Sequence, residues 1–221
     1  MGYRPRAPRY PTAREGNAVT TQYRIIPYQQ KHADSWLQCW LQTAASSTAW
    51  LYLYQEKPTY ESEAIELIAV DTAGEVVGFL DIEIEETPGA LCLASQEPRG
   101  AFPWEFGVMK TLWGMGLGTQ LVLEAVRLLQ QRGIHYMEWW SMDPRSQGWY
   151  ERQGMECINA HWRFMIKDSG TGACNTRDGV KLVHAHMTCT VDTWDEVQKD
   201  LNVITDPPLE PRLCRGYAHH F

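Results

Sequence analysis

The spacing of apolar residues changes from one segment of the chain to the next, and each spacing predicts an element. Runs that alternate apolar and polar residues at 65–71 and 75–85 flank a turn-forming segment, 71–74, and predict a β-hairpin. Apolar residues three and four positions apart predict amphipathic helices over 32–45 and 117–132.

Shorter patterns predict the remaining elements. Strand-like runs cover residues 21–28, 101–108, 135–141, 155–167 and 180–191, and short helices cover residues 144–153 and 193–201. Residues 1–20 and the tail from residue 206 are rich in proline and lack apolar periodicity, so we expect both to be irregular. Strands mixed with helices in this order predict one α/β domain around a mixed sheet.

Composition narrows the class of protein. With 221 residues, of which 44% are hydrophobic, the chain is long enough to bury a sizeable core. It contains neither an apolar run of about 18 residues, which a membrane-spanning helix requires, nor the apolar core of a signal peptide. A formal net charge of -7 argues against a general nucleic-acid binder. We therefore expect a soluble cytoplasmic protein that binds neither membrane nor nucleic acid.

Cysteines and histidines indicate no special chemistry. The six cysteines are scattered without a Cys-x-x-Cys motif, so we expect reduced thiols. His184 and His186 share one strand face, but with Cys189 or Cys214 they match no known metal spacing, and we expect no metal site. The first residues are rich in arginine, and we expect this basic arm to be solvated.

The most informative segment is a strand-like run that enters a loop with Gly114, Gly116 and Gly118 just before a predicted helix. Glycines at such a junction leave backbone N–H groups open to an anion, and the helix N-terminus adds unpaired donors and a partial positive charge. A P-loop would need a lysine after Gly118, and a dinucleotide fingerprint would need a third glycine at Thr119. Neither residue is present, so both of these phosphate sites are disfavoured.

A third kind of phosphate site fits more of the chain. Residues 108–118 resemble the acetyl-CoA loop of the GCN5-related N-acetyltransferase (GNAT) family, in which a strand ending in Val precedes Arg/Gln-x-x-Gly-x-Gly/Ala at a helix start. Gly116 and Gly118 match the two small positions. Trp113 stands at the Arg/Gln position and departs from the pattern.

A second segment strengthens the resemblance. Residues 143–155 resemble the family's Asn-x-x-Ala-x-x-Leu-Tyr-x-x-x-Gly-Phe segment, in which Tyr150 and Gly154 match outright. One helix and one strand separate the two segments, as in the family. The resemblance covers roughly residues 22–166, and it identifies the chain as similar to N-acetyltransferases.

The resemblance implies a fold and a domain organisation. It implies an α/β fold whose mixed, mostly antiparallel central sheet is flanked by helices on both faces, with two strands splayed at the acetyl-CoA site. The acetyltransferase domain would cover residues 21–167. An irregular basic arm at 1–20 would precede it, and an extension at 168–221 would pack on the same domain.

The resemblance also implies roles for individual residues. Loop residues would hold the pyrophosphate of acetyl-CoA through their backbone amides, namely Trp113, Gly114, Met115, Gly116, Leu117, Gly118 and Thr119. The backbone of Val108 would bind the pantetheine arm and polarise the thioester carbonyl, and Tyr150 would protonate the departing thiolate. Asp143 would contact the cofactor arm, although it is also a good N-cap for a helix that begins at Pro144.

A protonated amine must lose a proton before it attacks, so a carboxylate near the splayed strands is expected. Glu105 is our first choice, because two aromatic neighbours in the sequence would raise its pKa. Strand alternation puts Glu105 and Val108 on opposite faces unless a bulge intervenes. The alternatives are Asp81, Glu83 and Glu85, which form either a solvated face or a cleft that attracts cations.

We therefore expect an N-acetyltransferase that moves an acetyl group from acetyl-CoA to the primary amine of a small cationic acceptor. The mechanism would be direct attack within a ternary complex. The alternative is a non-catalytic acyl-CoA-binding sensor or interaction module with the same fold. The identity of the acceptor and the oligomeric state stay open, with a homodimer among the options.

Overall fold

A computed structural model of the chain describes residues 23–48, 53–93, 99–167, 184–201, 203–205 and 209–221. The predicted basic arm at 1–20 lies outside this range, and so do the first residues of the strand predicted at 180–191. None of the described helices has both the length and the apolar character needed to cross a bilayer. The cysteines in the described part of the chain are free thiols.

Within the described residues, eight strands form one sheet in the order β1-β2-β3-β4-β5-β8-β6-β7. The strands are β1 (Arg24–Pro27), β2 (Ala64–Val70), β3 (Val76–Ile84), β4 (Ala101–Val108), β5 (Tyr136–Ser141), β6 (Glu156–Lys167), β7 (His184–Thr190) and β8 (Arg212–His220). The helices are α1 (Ala33–Ala44), α2 (Leu117–Gln130), α3 (Pro144–Arg152) and α4 (Trp194–Asp200). Neighbouring strands are antiparallel except β4 and β5. The predicted α/β class with a mixed, mostly antiparallel sheet is therefore confirmed.

Helices cover both faces of the sheet. α1 packs on one face, where the ring of Trp36 lies 5.2 Å from that of Phe79 on β3. α2 packs on the other face, where Leu121 joins the core that contains Leu80 of β3, and α3 adds Tyr150 to the same core. We call these the α1 face and the α2 face. Successive side chains of β3 point to opposite faces, so this strand contributes to both cores.

β4 and β5 run parallel and separate soon after they begin. Their ladder consists of one pair, Ala101 with Met137, whereas β3 pairs with β4 along its length. The register between β3 and β4 skips Trp104, which is the extra residue of a β-bulge. The C-terminal halves of β4 and β5 therefore share no ladder, and the opening between them is called the splay below.

The expectation of an irregular tail from residue 206 is wrong for Arg212–His220, which form β8. This strand lies between β5 and β6, and its fully buried Tyr217 pairs with Trp139 on one side and Cys157 on the other. Both partners are distant in sequence, so a local apolar pattern could not reveal the pairing. β8 supports β5, which forms one wall of the splay.

Candidate active site

The splay opens into a cleft of about 1070 Å³ that is lined from both faces of the sheet. The glycine loop (residues 113–119) and Tyr150 of α3 line it from the α2 face. Trp40 of α1 and Glu105 of β4 line it from the α1 face. Two ligands that approach from opposite faces would therefore meet between β4 and β5.

The glycine loop presents backbone donors to this cleft. Gly114 and Gly116 have φ angles of 80° and 81°, a left-handed conformation that residues with a Cβ rarely adopt. Gly116 is the N-cap of α2 and offers no side-chain cap. The N–H groups of Leu117, Gly118 and Thr119 therefore have no intrahelical acceptor, and with the positive end of the helix dipole they form an anion site.

Trp113 ties this loop to the end of β4. Its indole N–H donates to the backbone oxygen of Val108 at 2.7 Å. The guanidinium of Arg145 lies over the indole, 5.2 Å from the ring centroid, in a cation–π arrangement. Arg145 is exposed and belongs to the first turn of α3. Arg145 thus brings a positive charge to the loop from across the cleft. It does so beside Trp113, the residue that stands where the family pattern has a polar side chain.

The backbone of Val108 points into the splay. The N–H of Met109 donates to the oxygen of Val77 at 3.0 Å, and Val108 pairs with Gly78. Hydrogen-bonded and non-hydrogen-bonded pairs alternate along an antiparallel ladder, so the N–H of Val108 faces away from β3. Because the ladder with β5 is confined to the start of β4, no described strand accepts from this N–H.

Tyr150 is buried among aromatic rings, with the ring of Trp139 at 5.3 Å and that of Tyr217 also at 5.3 Å. Burial raises the pKa of Tyr150, so its hydroxyl stays protonated at neutral pH. Within the described residues, this hydroxyl has no hydrogen-bond partner, and neither has the buried indole N–H of Trp139. Both residues line the cleft, and a ligand there could pair the buried indole N–H of Trp139, which otherwise carries a desolvation cost.

The carboxylate of Asp143 is already engaged. One oxygen accepts from the N–H of Arg145 at 2.9 Å and caps α3. The other accepts from the Ser47 hydroxyl at 3.1 Å and the Thr48 N–H at 3.2 Å. These bonds link the loop after α1 to the start of α3. The structure therefore shows the N-cap alternative, and a contact of Asp143 with a cofactor arm stays a prediction.

Glu105 faces the cleft as a half-buried carboxylate. The Tyr54 hydroxyl donates to one of its oxygens at 2.7 Å, and the Trp40 indole N–H donates to the other at 2.8 Å. Burial raises the pKa of Glu105, and the two donors moderate this effect. Its side chain and that of Val108 point to opposite faces, as strand alternation predicts, since the bulge falls at Trp104. A basic carboxylate therefore reaches the splay from the α1 face.

The three alternating carboxylates at the end of β3 and just after it form neither a solvated face nor a wall of the cleft, and both expectations are wrong. Asp81, Glu83 and Glu85 are 0%, 6% and 0% exposed. Glu83 accepts from the Ser62 N–H and from the Trp104 indole. Glu85 accepts from backbone N–H groups of the segment between β3 and β4. Donors in the neighbouring loops and in β4 therefore compensate the desolvation of Glu83 and Glu85.

Asp81 is the centre of a buried ion cluster, formed by Lys57, Tyr60, Glu66 and Asp81. The ammonium of Lys57 lies 2.8 Å from an oxygen of Asp81 and also contacts Glu66. The Tyr60 hydroxyl donates to the same Asp81 oxygen at 3.1 Å. Burial raises the pKa of Asp81 to about 6, although the nearby Lys57 ammonium lowers it. The cluster is internal to the fold and does not line the cleft.

Sequence reasoning missed three residues that shape the cleft. Trp40 figures in the sequence only as part of a helical stripe, and Tyr54 lies in a segment without periodicity. Arg145 lies within the segment that resembles the family. Because Trp113 replaces the polar residue of the family pattern, a cation elsewhere in the two matching segments could have been sought as its substitute, and Arg145 is such a cation. The contacts of Tyr54 and Trp40 with Glu105 link segments far apart in sequence and left no local signal.

Comparison with known proteins adds a family. A model of the acetyltransferase (GNAT) family matches residues 26–155. This span contains the glycine loop, Glu105 and Tyr150, and it ends before the first residue of β6. A search of curated proteins finds no match.

Solved structures share the fold at low sequence identity. An acetyltransferase from Thermus thermophilus matches with a TM-score of 0.50 and 14% identity, covering 90% of this chain and 97% of that one. The ribosomal-protein-S18-alanine N-acetyltransferase from Escherichia coli gives 0.50 and 11%, covering 90% and 93%. A tandem GNAT protein from the clavulanic acid biosynthesis pathway gives 0.52 and 14% over 66% of this chain, which spans 48% of that protein. At these identities the likeness establishes the fold.

Proposed function

This chain belongs to the acetyltransferase (GNAT) family, and we propose that it transfers an acetyl group from acetyl-CoA to the primary amine of a small cationic acceptor. One observation carries the proposal. The glycine loop and the unpartnered Tyr150 hydroxyl line the cleft from the α2 face, and Glu105 lines the same cleft from the α1 face. This arrangement separates an anion-binding end from a proton-accepting end, which suits direct transfer between two bound substrates.

The α2 face suits the coenzyme. The free N–H groups at the start of α2 match a pyrophosphate, and Arg145 adds a positive charge beside Trp113. Acetyl-CoA would supply an activated carbonyl carbon at the splay, within reach of the Val108 N–H. The cleft of about 1070 Å³ is large enough for the pantetheine arm together with an amine.

The proton balance assigns each group a role. The ammonium of the acceptor loses a proton to Glu105, directly or through water, and its nitrogen lone pair attacks the thioester carbon. The C–N bond forms, the C–S bond breaks, and the Val108 N–H stabilises the charge that develops on the carbonyl oxygen. Tyr150 gives its proton to the departing thiolate, and the attacking nitrogen returns its surplus proton to Tyr150, directly or through water, as the neutral amide forms. Glu105 then releases its proton to solvent, so each transfer sets one proton free. Burial raises the pKa of both Glu105 and Tyr150, which favours the first as acceptor and keeps the second protonated.

Release of free thiol from acetyl-CoA, measured with a panel of primary amines, tests this proposal. Tyr150→Phe should lower kcat by about 100-fold and leave the Kd for acetyl-CoA within about twofold, because only the acid is removed. The matched control is Tyr217→Phe, which removes a hydroxyl from the same aromatic cluster, where it donates to Glu151. Equal turnover of wild type and Tyr150→Phe would exclude Tyr150 as the acid.

A non-catalytic acyl-CoA-binding module is the second candidate. Trp113 favours it, because this residue stands where the family pattern has a polar side chain and is bonded to the Val108 oxygen. Tight binding of coenzyme A without thiol release across the whole panel would identify such a module. Thermal unfolding that does not respond to acetyl-CoA would exclude both candidates.

A further inference from the structure

We propose that the acceptor is a primary amine with a single positive charge and an aromatic body, of the arylalkylamine class; this inference rests on the proposed acetyl transfer and narrows its substrate. The relevant part of the cleft lies on the α1 face. We call it the acceptor half, and it is lined by Trp40, Trp104, Glu105 and Trp140. The glycine loop and α3 occupy the other face, so the amine reaches the splay from this side.

The acceptor half provides one carboxylate for an ammonium group. In the described part of the chain, Glu105 and Asp143 are the carboxylates that line the cleft. Asp143 is 7% exposed and accepts three hydrogen bonds from the protein, whereas Glu105 is half-buried and accepts two. The carboxylates of β3 are buried with their own donors and do not line the cleft. One cationic nitrogen would therefore find a counter-charge at Glu105, and a second would not.

Positive charge elsewhere in the cleft disfavours a polycation further. Besides Arg145, which lies over Trp113 of the glycine loop, Arg152 and Arg163 line the cleft, and the charges of these two are not assigned to the coenzyme. An extended polyamine or an aminosugar with several ammonium groups would bring like charges toward these guanidinium groups, which costs binding free energy. The acidic cleft that would have suited such acceptors is absent from the described structure, because Asp81, Glu83 and Glu85 are internal.

The aromatic rings of the acceptor half are held in place by carboxylates. The indole N–H of Trp104 donates to Glu83 at 2.7 Å, and that of Trp140 donates to Glu138 at 2.7 Å. Trp40 is fixed in the same way by Glu105. Trp104 is 49% exposed and leaves its ring for contact with a ligand, and Trp140 is half-buried, whereas Trp40 is 3% exposed and serves to hold Glu105.

Rigid aromatic walls around one carboxylate match a specific shape of ligand. The ring of an arylalkylamine can stack on an indole while its ammonium reaches Glu105, and the stacking covers apolar surface that is exposed in the free protein. An alkylamine of equal charge gains the ion pair but loses the ring contact. We therefore expect the order arylalkylamine, then alkylamine, then polyamine or aminosugar.

Initial rates of thiol release from acetyl-CoA with 2-phenylethylamine, hexylamine, spermidine and kanamycin test this order in the full chain. We expect kcat/KM for 2-phenylethylamine to exceed that for hexylamine by about 10-fold and that for the two polycations by about 100-fold. A preference for spermidine or kanamycin would overturn the inference and leave acetyl transfer standing. No thiol release with any amine would overturn the proposed transfer and this inference with it.

A variant locates the contact. Trp104→Leu keeps an apolar side chain but removes the ring, so KM for 2-phenylethylamine should rise about 10-fold while kcat and the KM for hexylamine change little. Trp162→Leu is the matched control, because Trp162 stacks on Trp194 at 4.6 Å and does not line the cleft. Equal KM values of the Trp104→Leu variant and wild type for 2-phenylethylamine would contradict the role of this wall.

Discussion

Two carboxylates stand opposite each other on β3 and β4, and their surroundings differ in almost every respect. Asp81 and Glu105 are partners in the register, so both side chains point to the α1 face. Asp81 is 0% exposed and lies 2.8 Å from the ammonium of Lys57. Glu105 is half-buried, accepts hydrogen bonds from two neutral donors, and lines the cleft.

The difference lies in the source of the counter-charge. Asp81 has a cation of the same chain beside it, and its charge helps to hold the segment before β2 against the sheet. Glu105 has neutral donors, so a cationic ligand would complete its surroundings. Two neighbouring positions on one face of a sheet can thus differ in role, one structural and one chemical. The role depends on whether the segment that covers the carboxylate supplies a cation or neutral donors.

The largest expected effect is on stability, and it follows from removal of Lys57, the counter-charge of Asp81. In Lys57→Met, Asp81 is left buried without its cation, which should lower the free energy of unfolding by about 3–5 kcal/mol at neutral pH. The pKa of Asp81, about 6, lies above the ordinary 3.8. Protonated Asp81 therefore contributes to the stability of the fold below pH 3.8, and this contribution is lost as the pH rises through about 6.

The deficit of Lys57→Met should therefore be smaller at pH 5, where Asp81 binds a proton, than at pH 7.5. Urea unfolding at the two pH values measures it. Lys31→Met is the control, since Lys31 is exposed and its replacement should change stability by less than about 0.5 kcal/mol. A deficit that is the same at both pH values would show that Asp81 is not the group left uncompensated.

Amide replacements sharpen the comparison from the catalytic side. Glu105→Gln should lower kcat/KM for a reactive amine by about 100-fold, because the proton acceptor is lost while the side chain keeps its size. Asp81→Asn makes the same chemical change on the same face and should leave kcat/KM of the folded protein within about threefold. Thiol release with both variants, after their folding has been checked, decides between the two positions. Similar losses in both would show that Asp81 and Glu105 act as one unit.

The smallest expected effect concerns the neutral donors of Glu105. The Tyr54 hydroxyl lowers the pKa that burial raises, so in Tyr54→Phe the pKa of Glu105 should rise. Activity that depends on ionised Glu105 should then fall by about 10-fold on the acidic limb of the pH profile and little on its plateau. The profile of kcat/KM against pH measures this shift. A limb at lower pH than in wild type would contradict the assignment of Glu105 as the base.

Local patterns explain which parts of the molecule could be predicted. The hairpin of β2 and β3, the amphipathic α2 and the glycine loop are each encoded within a short stretch of sequence. The loop residues could therefore be placed at a helix N-terminus from the order of the amino acids alone. Gly116 is the N-cap of α2 with positive φ, which the spacing of the glycines anticipates.

Long-range pairing explains the rest. Asp81, Glu83 and Glu85 alternate like the outer residues of a half-exposed strand. Donors from a loop about 20 residues earlier cover Asp81 and Glu83, and an irregular segment shortly after the strand covers Glu85. β8 pairs with strands formed much earlier in the chain. Glu105 accepts hydrogen bonds from Trp40 and Tyr54, which belong to a helix and a loop that precede it by many residues. No window of neighbouring residues contains this information.

The position of β8 sets the order in which the protein can assemble during its synthesis. Until residues 212–220 have left the ribosome, β5 has no strand partner apart from its single pair with β4, and β6 lacks the neighbour that joins it to β5. The nascent chain would then present two unpaired strand edges, the kind of surface that chaperones shield. Since β5 carries a wall of the cleft, that wall is complete only once β8 has paired with it.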